Sequence, residues 1–239
     1  MKIYREVFSP IQVNTYIVEG DDGQCIIIDC GCYGREEEKR LEDYLTAREL
    51  KPRLLLNTHC HLDHIFGNSF MLERYGLRSW FHDGDRYNHA AAPKHALMFG
   101  LDMEAPPEPE GYLADGEVVK AAGVSFKVIA VPGHSPGGIA FYSEKDGVIF
   151  TGDALFAGSI GRSDLPGGNH EQLMANIRDR LFTLPPDTVV YPGHGPETTI
   201  GEELKSNPFF SETPMMRSPL LNSGRKAKMH SIIVWLIML

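Results

Sequence analysis

Short apolar runs, most of them bounded by Gly, Pro, Asn or Asp, dominate the chain and predict strands. They fall at Lys2–Phe8, Asn14–Val18, Gln24–Asp29, Arg53–Thr58, Arg78–His82, Val124–Val131, Ile139–Tyr142, Gly147–Thr151 and Thr188–Tyr191. Between them the apolar spacing turns helical. Leu41 and Leu45 lie four apart in a predicted helix over Glu36–Glu49, and further helices are predicted over His64–Tyr75, Asp83–Ala91, His170–Leu181 and Ile200–Ser206. Strand runs toward both ends with helices interspersed predict a layered α/β fold and not a helical bundle. Residues 93–116 are the one long irregular stretch, with Pro93, Pro106, Pro107 and Pro109 beside Met98, Phe99 and Met103. Such a stretch lines a cleft or is a surface insertion.

Chemistry concentrates where apolar runs end. After Leu54–Leu56 comes Thr58-His59-Cys60-His61-Leu62-Asp63-His64, three imidazoles and a carboxylate within six residues. Neutral imidazole and carboxylate are ligands that divalent metals such as zinc accept. On an extended path His59 and His61 share one side, and Cys60 points away as a small buried filler. Buried His and Asp need partners, so this density is hard to explain as packing. His134 follows Val128–Val131, Asp153 follows Val148–Phe150, and His194 follows Val189–Val190, each directly after a Gly. A lone histidine after a strand is more often structural. Four such loops, holding five of the chain's ten histidines, predict convergence on one edge of a sheet.

The order His59-x-His61-x-Asp63-His64, His134, Asp153, His194 resembles the metallo-β-lactamase superfamily, and closely its glyoxalase II branch, from about residue 3 to about residue 206. The resemblance implies a four-layer αβ/βα sandwich with a two-metal site at one edge. Carried over, His59, His61 and His134 would hold one ion, Asp63, His64 and His194 the other, and Asp153 would bridge them. Zinc is the expected ion, with iron or manganese as alternatives. A bridging hydroxide would attack the substrate, since a single zinc ion already brings a bound water to a pKa of about 7.

The loop Leu155–Arg162 is similar to the one following the bridging aspartate in glyoxalase II, where a basic residue helps to hold glutathione. Arg162 matches it and becomes the candidate for gripping a substrate carboxylate; a salt bridge to Asp164 is the alternative. Asp164 departs from the aromatic found there in the family. Residues 207–239 are too short for the helical domain of full-length glyoxalase II, so the resemblance is to the short single-domain hydrolases. The expected function is hydrolysis of small thioesters of the S-lactoylglutathione type. Lactone or β-lactam hydrolysis is the first alternative. Mononuclear Fe(II) persulfide dioxygenases, which share the Asn57–His64 motif almost word for word, are the second.

Composition narrows the setting. With 239 residues, 42% hydrophobic and 23% charged, the chain supports one sizeable core, or at most two small domains. A net charge of −9 argues against a nucleic-acid partner. Cys25, Cys30, Cys32 and Cys60 lack a disulfide-framework spacing and are expected as free thiols. The start Met1–Arg5 lacks a secretory pattern, which points to the cytoplasm. Residues 1–206 are expected to form the catalytic domain, and 207–239 a loosely ordered tail. Its apolar run Ile232–Leu239 is far short of the roughly 20 residues that span a bilayer.

Overall fold

A computed structural model describes residues 1–210; residues 211–239, with most of the expected tail, lie outside the described residues. Two six-stranded sheets pack face to face. The first runs β1 (Lys2–Phe8), β2 (Val13–Glu19), β3 (Gln24–Ile28), β4 (Lys51–Leu56), β5 (Ser79–Phe81), β6 (Gly111–Tyr112) in spatial as in sequence order. The second comprises β7 (Val118–Ala121), β8 (Val124–Ala130), β9 (Ile139–Ser143), β10 (Val148–Gly152), β13 (Val189–Pro192) and β14 (Thr198–Thr199), in the order β14-β13-β10-β9-β8-β7. A small hairpin, β11 (Leu155–Phe156) with β12 (Ser159–Ile160), sits apart.

Each sheet is covered on its outer face by helices, so the central strands β3, β9 and β10 are buried on both sides and read as largely unbroken apolar runs. In β3, Ile26 and Ile28 face the second sheet and meet Phe126, Val128, Phe141 and Phe150. Cys25 and Ile27 face outward against Leu41 and Leu45 of α1 (Gly34–Ala47) and Met71 of α3 (Asn68–Tyr75). On the other side Ile129, Ala140, Ile149 and Val190 pack on Leu173, Ile177 and Leu181 of α5 (His170–Asn176) and the wider helical turn continuing it through Leu181. The result is the four-layer αβ/βα sandwich that the resemblance implied.

Three expectations change. The helix expected over His64–Tyr75 is two, α2 (Leu62–Ile65) and α3, because the chain turns at Phe66–Gly67 and the Gly67 amide donates to Cys30 O at 2.8 Å. The helix expected over Asp83–Ala91 begins later and runs on as α4 (Arg86–Met98), with Pro93 inside it. Asn88, His89, Ala92 and Ala96 recur on its buried face, and that packing outweighs proline's penalty. Residues 93–98 of the expected irregular stretch are therefore helical. The short strands β6, β7, β11, β12 and β14 were not visible as apolar runs. Beyond α6 (Ile200–Ser206), Asn207 is buried and Phe210 meets Phe182 edge-on at 4.7 Å. Among the described residues no helix is long and apolar enough to cross a membrane.

The sheets also touch at the end of β2 away from Val13. There the Asp21 amide donates to Ala122 O at 2.8 Å, and a Cβ on Gly20 would lie 1.7 Å from that same oxygen. Only glycine allows this approach. The middle of the sandwich is aromatic: Phe150 meets Tyr16 and Phe126 edge-on at 5.1 and 5.6 Å and stacks on Tyr191 at 5.2 Å. Phe150→Ala should cost about 3–5 kcal/mol in urea unfolding, as for other large-to-small core changes. A loss under about 1 kcal/mol would show that the two sheets do not depend on this cluster.

Candidate metal centre

All the candidate donors except Arg162 meet at one edge, where β4, β8, β10 and β13 end and β2 begins. The loop after β4 carries His59 and His61, with Asp63 and His64 in the first turn of α2. The loops after β8, β10 and β13 bring His134, Asp153 and His194. Two trios of histidines and aspartates have donor atoms all within 4.8 Å of one another: His59, His61 and His134; and Asp63, His64 and His194. A third, His59, His64 and Asp153, joins them. Within the first trio Nε2 of His59 is 3.1 Å from Nδ1 of His61 and 3.2 Å from Nε2 of His134. Nδ1 of His61 is 2.8 Å from Nε2 of His134. In the second, His194 Nε2 lies 3.1 Å from an Asp63 oxygen and 3.6 Å from one of Asp153. His64 Nε2 lies 3.3 Å from the other Asp153 oxygen.

The far side of each ring decides what its near side offers. His134 Nδ1 donates to the carbonyl of Arg162 at 2.7 Å, and His194 Nδ1 to that of Gln12 at 3.1 Å. A carbonyl only accepts, so both rings must carry the proton on Nδ1. His64 Nδ1 pairs with the Asp29 carboxylate at 2.9 Å. Thr58 gives its hydroxyl proton to Asp29 at 2.7 Å and so accepts from His59 Nδ1 at 3.2 Å. In the neutral forms of these rings, four Nε2 lone pairs thus face one another and the carboxylates of Asp63 and Asp153. Acceptor faces acceptor. His64 Nε2 and Asp153 Oδ1 are both buried, and despite their 3.3 Å separation neither makes a well-aligned hydrogen bond. This convergence of lone pairs suits a cation, and the N/O donor set suits zinc or iron.

The electrostatics divide the site. Burial, then neighbouring imidazoles, pull His59 well below its usual pKa, and burial with His134 pulls His61 down to about 3. Burial acts the same way on His134 and outweighs the pull of Asp153. Burial also opposes charge on His64 and His194, but there Asp153 and Asp63 prevail and raise both. The carboxylates respond in kind. Burial would raise Asp63 and Asp153, but the facing imidazoles bring both down.

Arg162 presents its backbone carbonyl to His134, while its guanidinium grips Asp164 through two bonds of 2.8 Å. That pair holds the Asp164 carboxyl down to about 2. The four cysteines are free and buried, Cys60 among them. Asp29 was missed in the sequence. It sits fully buried at the end of β3 with φ 54°, accepts from the Thr58 amide as well as its hydroxyl, and orients His64. The signal was present: Asp29 ends the apolar run Ile26–Ile28 as Asp153 ends its own. Asn14 and Tyr16 were also passed over; both donate to Pro192 O, at 2.9 and 2.6 Å, and brace the His194 loop.

A four-layer sandwich with histidine and aspartate loops converging at one edge is a metal-binding architecture, and the family model of the metallo-β-lactamase superfamily matches residues 9–194. The chain belongs to that superfamily. Over 202 residues it is 36% identical to a Haemophilus influenzae protein described as hydroxyacylglutathione hydrolase GloC, covering 84% of this chain and 93% of that one. The crystal structure of BLEG-1 B3 metallo-β-lactamase matches at TM-score 0.82 and 33% identity, over 88% of this chain and 100% of that one. The crystal structure of TTHA1623 in a di-iron-bound form matches at TM-score 0.78 and 38% identity, over 86% and 99%.

If Asp29 sets the His64 tautomer, Asp29→Asn should weaken divalent-metal binding about 10–100-fold, the usual cost of losing such an orienting partner. Competition against a chromophoric chelator measures this. Unchanged affinity would mean that the His64 ring is positioned by packing alone.

Proposed function

We propose that the chain is a dinuclear metal-dependent hydrolase of small thioesters of the S-lactoylglutathione type. His59, His61 and His134 hold one ion, Asp63, His64 and His194 the other, and Asp153 is shared. The observation that carries the reading is the convergence of four histidine lone pairs on two carboxylates, with His64 Nε2 and Asp153 Oδ1 left without hydrogen bonds. The GloC relative supports the thioester assignment. When bound, the two ions supply an activated water and polarise the acyl carbonyl. The chain's own part is to hold these donors rigid, each imidazole through its far nitrogen or its backbone, and to keep them largely out of bulk water. Zinc and iron both suit the donors, and the di-iron-bound TTHA1623 structure, at 38% identity, keeps iron beside zinc as a candidate.

A second reading, β-lactam hydrolysis by the same residues, draws on the 33% identity to BLEG-1. A metal-replete preparation assayed on a thioester panel, a lactone and a β-lactam, with metal quantified per chain, separates the readings. The expected result is two ions per chain and fastest turnover of a glutathione thioester. Faster β-lactam turnover would replace the substrate, and a single tightly bound iron would replace the chemistry.

Arg162 belongs to the same proposal, as the group that exchanges its exposed Asp164 partner for a substrate carboxylate. Arg162→Ala should raise KM roughly 10-fold with metal content unchanged, because charge-assisted bonds contribute about 1.5–3 kcal/mol. The backbone carbonyl that holds His134 survives this substitution. A wild-type KM would reduce Arg162 to the partner of Asp164.

A further inference from the structure

Four of the five site imidazoles are oriented through their second ring nitrogen: His59 by Thr58, His64 by Asp29, His134 by the carbonyl of Arg162, His194 by that of Gln12. His61 is the exception. Its Nδ1 faces His59 and His134, and among the described residues no partner is seen for its Nε2. Its ring must therefore be placed by the backbone that carries it.

That backbone is held by Asp85, a carboxylate outside the family's ligand motif and fully buried in the turn between β5 and α4. One oxygen accepts from the Cys60 amide at 2.7 Å, between His59 and His61. The other accepts from the Gly137 amide at 2.7 Å, three residues past His134. One side chain thus joins a loop leaving the first sheet to a loop leaving the second. Its own position is fixed by its amide, which donates to His82 O at 3.0 Å, and by Asn88, whose side-chain amide approaches at 3.4 Å. The two backbones also press together here: a Cβ on Gly137 would lie 2.5 Å from Asp85 N, and one on Gly84 would lie 2.9 Å from Pro136 O. Nearer the strand ends the Ile139 amide donates to Thr58 O at 2.9 Å.

We propose that Asp85 is a positioning residue that sets the distance between His61 and His134, and so governs the affinity of the ion held by His59, His61 and His134. This rests on the two-ion reading above. The ion held by Asp63, His64 and His194 does not depend on it, because Asp29 and Gln12 orient that trio's rings from other elements.

Asp85→Asn tests the proposal, since it keeps the shape but turns an NH2 group toward one of the two amide donors. Titration of metal-free protein with zinc against a chromophoric chelator should resolve two binding steps in wild type. In the variant one step should weaken about 10–100-fold and the other stay put, with little change in the melting temperature of the metal-free protein. His61→Ala should remove the same step, and adding Asp85→Asn to it should change nothing further. Retention of both steps at wild-type affinity would overturn the proposal. So would weakening of both in parallel with a fall in metal-free stability, which is what a merely structural carboxylate would give. Should the Asn variant not fold, Asp85→Ser, which leaves space for a water, takes its place. Failure of both to fold would make Asp85 a folding residue and overturn the proposal as well. Wild type that never exceeds one zinc per chain would overturn the two-ion reading itself, and the positioning role with it.

Discussion

Lone pairs repel, and the edge of this sandwich is built around that fact. Neutral imidazoles protonated on their outer nitrogens have nothing to donate inward, and Asp63 and Asp153 add only acceptors. Such a cluster is costly to bury unless positive charge neutralises it. Protons can do so in part, since Asp153 and Asp63 favour the charged forms of His64 and His194. Metal ions do so completely, and the outer hydrogen bonds have already chosen the tautomers that ions require. The selection of those tautomers by Thr58, Asp29 and two backbone carbonyls is the constraint on which the site depends.

The fold meets this constraint by dividing the work between two sheets. The first contributes the dense motif His59–His64 and its support, Asp29. The second contributes three single donors from three strand ends. Neither sheet holds a full ligand set, so the site is a seam, and the aromatic core around Phe150 and Tyr16 is what keeps the seam in register. Strands buried on both faces suit this, since packing on either side resists sliding.

Much of this was legible in the sequence because the apolar runs end abruptly in polar residues. Runs such as Ile26–Ile28 and Val128–Val131 mark strands by length and composition, and the residues just beyond them mark the edge. What escaped were features without such contrast. Pro93 argued against a helix that Ala92 and Ala96 stabilise by packing. The two-residue strands β6, β11, β12 and β14 are too short to show any period. The supporting carboxylates escaped for a different reason. Asp29 lies about 30 residues before the motif it serves, and a solitary aspartate in a sequence does not reveal which amide it will accept from. Contacts between distant segments are where one-dimensional reading runs out.

Gly20 has a consequence far from where it sits. It lies at the opposite end of β2 from Val13, and seven residues of strand at about 3.3 Å each put it some 20 Å from the metal-site edge. The two sheets meet there with no space for a methyl group. They behave as the arms of a clothes-peg, pinched together at the tail and gripping at the mouth. A side chain at position 20 is a wedge in the tail, and packed arms pass its displacement along rather than absorb it. Damage at this joint would register in any assay of turnover as an active-site lesion, although every donor remained in the chain.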